Sequence, residues 1–273
     1  MKLNGMGIGH GRSEGEVLQV ERPISFLGGV ESKTGEILDR DSGKVGKSIA
    51  DKILAFPHGK GSTVGSYVIY QLKKSKAAPA AIINQKADPI VATGAIISGI
   101  PMLSEIPTDI LRDGDKAVVD ADDGYLDLPE VTENPVVTGI FRRGDRILIL
   151  KRSNEVGSFQ GRWAGISGGV LDDEKTEDAM IREIAEESGL SSDSYRLSVI
   201  GSPIYARNDT RVWKVHPFLL DLIEGEVSLD WEHDEFRWIA IDDLDSYETV
   251  PRLKNVIDLL LRTERVQKKR VCD

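Results

Sequence analysis

Residues 168–190, GGVLDDEKTEDAMIREIAEESGL, decide how the second half of this 273-residue chain folds. The stretch fits G-x5-E-x7-R-E-U-x-E-E-x-G-U, with U aliphatic, at Gly168, Glu174, Arg182, Glu183, Ile184, Glu186, Glu187, Gly189 and Leu190. At an average usage of roughly 7% per residue type, its fixed identities would coincide about once in 10^8 trials at a given start, which rules out chance. From about Thr176 to Ser188 the residues are strong helix formers, with Ala179, Met180, Ile184 and Ala185 as an apolar stripe. Gly189 sits where a left-handed helix stop is expected, so the stretch reads loop, helix, loop.

On such a helix Glu183, Glu186 and Glu187 stand at i, i+3 and i+4, project from one face and repel one another. A divalent cation relieves that repulsion, and all-oxygen carboxylate ligation favours Mg2+ or Mn2+ over Zn2+. Arg182 adjoins the cluster, placed to orient a carboxylate or to contact phosphate. An E-x-x-E-E face alone is also what many solvated helices display; the flanking Gly168, Glu174, Arg182 and Gly189 set this one apart.

The pattern resembles the Nudix box. That resemblance implies an α–β–α sandwich over roughly residues 132–265 and hydrolysis of a diphosphate linked to some moiety X. It assigns Glu187 and Glu183 chiefly to metal, with Glu186 as a further ligand or, like Glu183 and Glu232, a candidate general base. Upstream, Trp163 and Gly168–Gly169 stand where the family usually has them, with Ser167 in place of a common proline. Trp163, Phe159 and Tyr205 are the aromatics available to stack a base or line an apolar tail. Downstream, WEHDEFRW offers Glu232, the first choice, and Glu235 as additional carboxylates, with ordinary exposed loop acids an open alternative. His216 and His233 read as structural residues rather than ligands.

Around the box the pattern is that of strands. VVTGIFRRGDRILILKRS reads as two strands about a turn at Arg143 to Asp145, RLSVIGSPIYA, WKVHPFLLDLI and EFRWIAI as later strands, and Pro251 to about Arg265 as an amphipathic helix. The basic run RTERVQKKR, residues 262–270, reads as a solvated terminus. Between Asp120 and Pro135, ADDGYLDLPEVTENP reads as a hairpin end and linker. Two domains follow, residues 1–131 and 132–273.

Composition narrows the function classes. The chain is 40% hydrophobic and 29% charged with net charge −10, so it lacks the basic surface a sequence-independent nucleic-acid binder needs. Lys and Arg number 15 against 18 Asp and Glu through residue 131, and 20 against 27 beyond it, so the excess acid lies mainly in the second half. No apolar run reaches membrane-spanning length and no signal pattern opens the chain; the expected location is cytoplasmic. A single cysteine, Cys272, excludes an intramolecular disulfide or a cysteine-ligated cluster held by this chain alone.

In the first half, KILAF reads as a buried strand and VGSYVIYQLKK as a helix, so Gly59 to Thr63 form a strand-to-helix turn of the kind whose N–H groups attract anions. The spacing fits neither a Walker A loop nor a dinucleotide fingerprint, and Ser62 or Thr63 is open to reading as a simple helix cap. PISFLGGVESKTGEILDRDSGKVGKSIADKILAFPHGKGSTVGSYVIYQL, followed by PAAIINQKADPIVATGAIISGIP, resembles the small, swivelling subunit of the aconitase X family, whose archaeal members include a phosphomevalonate dehydratase. The resemblance implies a swivelling β/α domain in which Ser62 accepts the proton of a dehydration. Gly59, Gly61 and Gly65 then close the turn around a small phosphorylated substrate, alongside Thr63, and Lys60 is a candidate helper.

Such a dehydratase uses an iron–sulfur cluster, so the cluster is expected on a large partner subunit. The alternative is a stand-alone Nudix hydrolase whose first domain only binds or regulates. The expected fold class is α/β (α+β), a swivelling domain followed by the sandwich.

Overall fold

The computed structural model describes residues 1–272, with side chains through residue 269. Asp273, the expected end of the second domain, and the side chains of Arg270, Val271 and Cys272 lie outside the described residues. The chain divides into two compact units, residues 1–132 and residues from 133 on, each with its own sheet. Among the described residues no helix is long and apolar enough to cross a membrane.

The first unit comprises β1 (Lys2–Asn4), β2 (Met6–Gly7), β3 (Arg12–Gln19), β4 (Ile53–Phe56), α1 (Gly65–Lys74), β5 (Ala81–Asn84), α2 (Pro89–Ser98), β6 (Met102–Ser104), β7 (Lys116–Asp120) and β8 (Tyr125–Asp127). The strands order as β1-β8-β7-β3-β4-β5-β6-β2. The centre, β3 through β6, is parallel. Both β4, ILAF, and β5, AIIN, are buried throughout, which is why these runs show no polar alternation. The helices α1 and α2 are the crossovers between parallel strands, and their Ile69, Leu72, Val91 and Ala95 share one core with Leu54, Phe56 and Ile82. Asp88 starts α2 by accepting the N–H groups of Ile90 and Val91, with Pro89 already preset for the first turn, and Gly99 at φ 58° ends it.

The second unit comprises β9 (Thr132–Arg143), β10 (Arg146–Arg152), β11 (Trp163–Ala164), β12 (Ile166–Gly169), α3 (Thr176–Ser188), β13 (Tyr195–Ile200), β14 (Ile204–Asn208), β15 (Arg211–Leu222), β16 (His233–Ala240) and α4 (Leu253–Cys272). Its sheet orders as β11-β10-β9-β15-β13, with β12 on β9, β14 on β15 and β16 on β10. Alternate residues of β10 separate two cores. Ile147 and Ile149 meet Leu253, Val256, Ile257 and Leu260 of α4, whereas Leu148 and Leu150 meet Ala179, Met180 and Ile184 of α3. A sheet with one helix on each face is the α/β/α sandwich, and burying both faces explains the unbroken ILIL run. Each of Met180 and Ile184 contributes about 1.5–3 kcal/mol by leaving water.

Four expectations need correction. Ala185 is exposed, because the stripe of α3 that meets the sheet runs through Ala179, Met180 and Ile184. RLSVIGSPIYA forms two strands rather than one, since the chain turns at Gly201 to Pro203 and both halves pair with β15. The closing helix runs well past Arg265, and the basic run is helical. Helix-forming residues continue there, Lys268 pairs with Glu264 at 2.9 Å one turn back, and Arg142 anchors Glu264 from β9 through paired bonds of 3.0 Å. The three glutamates of α3 share a side of the helix but not an environment, Glu183 and Glu187 being buried and Glu186 exposed.

Candidate functional site

The packing of α3 against β12 puts the box glutamates into unequal surroundings. The Glu187 side chain is 3% exposed, that of Glu183 10% and that of Glu186 59%. A Cβ at Gly168 would fall 1.9 Å from the Glu183 carboxyl, so glycine is required there to let the acid approach the strand. Arg182 holds the cluster. Its Nε and Nη2 each donate to Glu174 at 2.9 Å, Nη1 donates to Glu183 Oε1 at 2.5 Å and to Glu186 Oε2 at 3.4 Å, and Nη2 donates to the Gly169 carbonyl at 2.8 Å. This forked pairing holds the Glu174 carboxyl down to about 2, helped by the Leu171 N–H.

The buried acids shift the other way. Burial raises the Glu183 carboxyl, against the pull of Arg182 and with added repulsion from Glu186 and Glu232. Burial drives the Glu187 carboxyl well above the usual carboxylate range; the Ser167 N–H, donating at 3.2 Å, offsets part of this, while Glu183, Glu232 and Asp230 push further up. Behind it lies His233, fully buried, whose Nδ1 meets Asp230 Oδ1 at 3.1 Å and whose Nε2, without a hydrogen-bond partner, lies 3.9 Å from Glu187 Oε2. Burial lowers the His233 imidazole, against the attraction of Asp230, so it sits as a neutral structural ring.

Beside these acids opens a cleft of about 400 Å3 whose lining includes Gly168, Gly169, Glu183, Glu186 and Glu232. Glu235 is not in the lining; its carboxylate accepts from Arg237 Nε at 2.6 Å. Phe159 lines the cleft, but Trp163 and Tyr205 do not. Trp163 is a core residue, edge-on to Tyr247 at 5.3 Å and bridged through its backbone to Thr249, so its substrate-contacting role is withdrawn. The aromatic partner of Phe159 is Trp213 on β15, at 5.5 Å between ring centroids. Trp213 escaped the sequence reading, although its alternation with Val215 on a strand is a signal that both face one side.

The donor set matches a hard divalent cation, since every group is a carboxylate oxygen, and a positive charge, the Arg182 guanidinium, is already drawn onto Glu183 and Glu186. Among the described residues no three ligating side chains are gathered tightly enough to form a ready cage. The pattern visible in sequence is thus a set of donors, with Arg182 engaging the oxygen a cation would take.

In the first unit the turn after β4 packs closely on its neighbours. A Cβ at Gly59 would lie 2.5 Å from Val91 Cγ2 and 2.8 Å from Asp88 Oδ1, and one at Gly61, where φ is +104°, would lie 2.7 Å from Ser25 Oγ. Gly65 opens α1, whose cap residue is Val64 and which has no side-chain cap. Neither Ser62 nor Thr63 therefore caps the helix; Ser62 Oγ accepts the Val64 N–H at 3.3 Å and closes the turn before it. Lys60, Gly61, Ser62 and Thr63 are exposed. The Lys60 ammonium, expected as a candidate helper at Ser62, pairs with Asp39 at 3.1 Å. Burial raises the Asp39 carboxyl, but Lys60 and the N–H groups of Asp41 and Ser25 outweigh it and hold it below the usual range.

Comparison with known proteins separates along the same division. The aconitase X swivel domain matches residues 2–128 and the NUDIX domain residues 133–260. The phosphomevalonate dehydratase small subunit of Methanosarcina mazei is 55% identical over 131 residues, 47% of this chain and 91% of that protein. Its counterpart from Thermococcus onnurineus is 54% identical over 130 residues, 48% of this chain and 100% of that protein. The crystal structure of Thermococcus kodakaraensis aconitase X, holo-form, is 55% identical and covers 47% of this chain and 98% of that one, with a TM-score of 0.46.

Proposed function

This chain belongs to the aconitase X small-subunit family and carries a NUDIX domain, and on that premise we propose that it joins the small subunit of a phosphomevalonate dehydratase to a metal-dependent diphosphate hydrolase. The observation that carries the hydrolase reading is the buried pair Glu183, which lines the cleft, and Glu187, one turn along the same helix, both held above their usual carboxylate range. Two acids in that state gain from a cation. We assign Glu183 and Glu187 to hold Mg2+ or Mn2+, with Glu186 and Glu232 completing the donor set. When bound, the ion supplies charge neutralisation on the diphosphate and on the departing oxygen. Glu186, the most exposed of the three helix acids, is either a further ligand or the acceptor of a proton from water entering the cleft, with Glu183 and Glu232 as the other candidates for the base. Arg182 and the glycine pair position the acids.

The dehydratase reading rests on identity spread over nearly a whole small subunit, which speaks for a catalytic partner over a mere binding module. Ser62, exposed on its turn with one lone pair taken by the Val64 N–H, is assigned as proton acceptor, and Gly59, Gly61 and Gly65 as the residues that let the turn close on a small phosphorylated substrate. An iron–sulfur cluster needs several thiolates and this chain has one cysteine, so its residues do not fit the cluster and no step here passes through it. The cluster is assigned to a cysteine-rich large subunit, making the dehydratase a heterodimer in the cytoplasm. Affinity recovery of the full chain from its native host, followed by an iron assay, tests this: a cysteine-rich partner carrying iron is expected, and recovery of the chain alone overturns it.

A further inference from the structure

The lining of the cleft combines two chemistries. Its acids are Glu183, Glu186 and Glu232. Its apolar walls are Val136, Ala206, Trp213, Val215, Val250 and Val256. Its aromatic pair offers no slot for a nucleobase, because Phe159 and Trp213 stand 5.5 Å apart at 58° and are packed on each other, whereas a sandwiched ring needs roughly twice the 3.5 Å spacing of two carbon atoms in contact. The side-chain donors near these walls are Thr138, Ser158, Ser167 and Arg152. The Thr138 hydroxyl is engaged with Ser167 Oγ at 3.0 Å, and Arg152 donates through Nε to the Ser158 carbonyl at 3.1 Å, leaving the rest of its fork for a phosphate oxygen. A base or ribose placed against these valines would lose its water partners without replacement. At about 400 Å3 the whole cleft is also near the small end of ligand pockets, about 300–1,000 Å3, with part of it needed for the phosphates.

We infer that the moiety X of this hydrolase is a short, branched aliphatic chain, so that the substrate is an alkyl or alkenyl diphosphate and not a nucleotide. The inference rests on the hydrolase reading above. Water oxygen forms a new bond to one phosphorus while the P–O–P bridge breaks. The bridge electron pair stays on the departing phosphate, the water proton passes to a carboxylate, and the products are the alkyl monophosphate and inorganic phosphate. Either phosphorus gives the same pair. Val136, Trp213 and Val250, partly buried at the cleft wall, set the specificity.

The test is substrate loss and monophosphate formation, resolved by chromatography, for the full chain with Mg2+ or Mn2+ on isopentenyl diphosphate, methyl diphosphate, ADP-ribose and ATP. Isopentenyl diphosphate is expected to exceed both nucleotides in kcat/KM by about 100-fold or more. Val250→Asp should lower the ratio of isopentenyl to methyl diphosphate turnover about 100-fold, and Trp213→Ala should shift preference toward the longer geranyl diphosphate. Should Val250→Asp fail to fold, the near-isosteric Val136→Thr serves, with an expected drop of about 10-fold in the same ratio. Faster turnover of a nucleotide than of isopentenyl diphosphate overturns this inference and leaves the hydrolase standing. No turnover of any of the four substrates overturns the hydrolase reading itself.

Discussion

Both units set their chemistry-bearing residues beside glycines that admit another group, yet one site is buried and the other is bare. In the second unit Gly168 lets a carboxylate come closer than any Cβ allows, and Glu183 and Glu187 lose most of their water. In the first, Gly59 and Gly61 give way to Asp88, Val91 and Ser25, while Ser62 and Thr63 stay in solvent. The difference teaches where each site must be completed. On the proposed reading, buried acids gain from a cation, and an exposed turn leaves its hydroxyls open to a partner surface.

The sharpest way to break that comparison is a pair of substitutions read in both assays. Ser62→Ala, assayed in the chain reconstituted with its large subunit, should cut dehydration by about 10^2–10^4 and leave phosphate release from diphosphates untouched. Glu186→Gln should do the reverse by a similar factor. An undiminished dehydration rate in Ser62→Ala would show that the hydroxyl merely closes a turn.

Gly168→Ala comes next. The new Cβ meets the Glu183 carboxyl, so the acid must leave its place, at a cost of about 1–3 kcal/mol. Thermal unfolding should show a lower midpoint, and calorimetric titration with Mn2+ should show weaker uptake; wild-type values in both would refute the close approach.

Smaller effects separate two carboxylates of the same unit by their response to pH. Because the folded Glu187 carboxyl lies well above its unfolded value, stability is lost as pH rises from about 4.5 up to that raised folded value. Glu187→Gln should therefore stabilise the metal-free protein at pH 7, with the gain fading below that range, while abolishing stabilisation by Mg2+. Glu264 is the mirror case. Arg142 lowers it to about 2, so its contribution is present above about 4.5 and is lost as pH falls toward 2. Glu264→Gln should cost about 1–2 kcal/mol at pH 7 and little near pH 2, measured by urea midpoints. The same sign for both variants at pH 7 would erase the contrast.

Much of the architecture was legible in the chain. The span of α3, its stop at Gly189 at φ 65°, the hairpin around Gly144 and the buried strands β4 and β5 all follow from periodicity and turn residues. The errors share a cause. Trp163 and Trp213 both lie on strands, and only the packing of Tyr247 and the bridge to Thr249 place the first in the core while the second faces the cleft. Lys60 stands two residues before Ser62, and the folded chain brings Asp39 to it.

The sequence by itself determined the donor set, its spacing and the family of each half, because helix geometry turns i, i+3 and i+4 into neighbours whatever surrounds them. Only the tertiary structure decided that Glu187 and Glu183 are buried while Glu186 is not, that Arg182 is clamped by Glu174, and that valines and Trp213 line the cleft. Those outcomes depend on which distant strand packs opposite each side chain, and burial, not spacing, sets the cost of a charge.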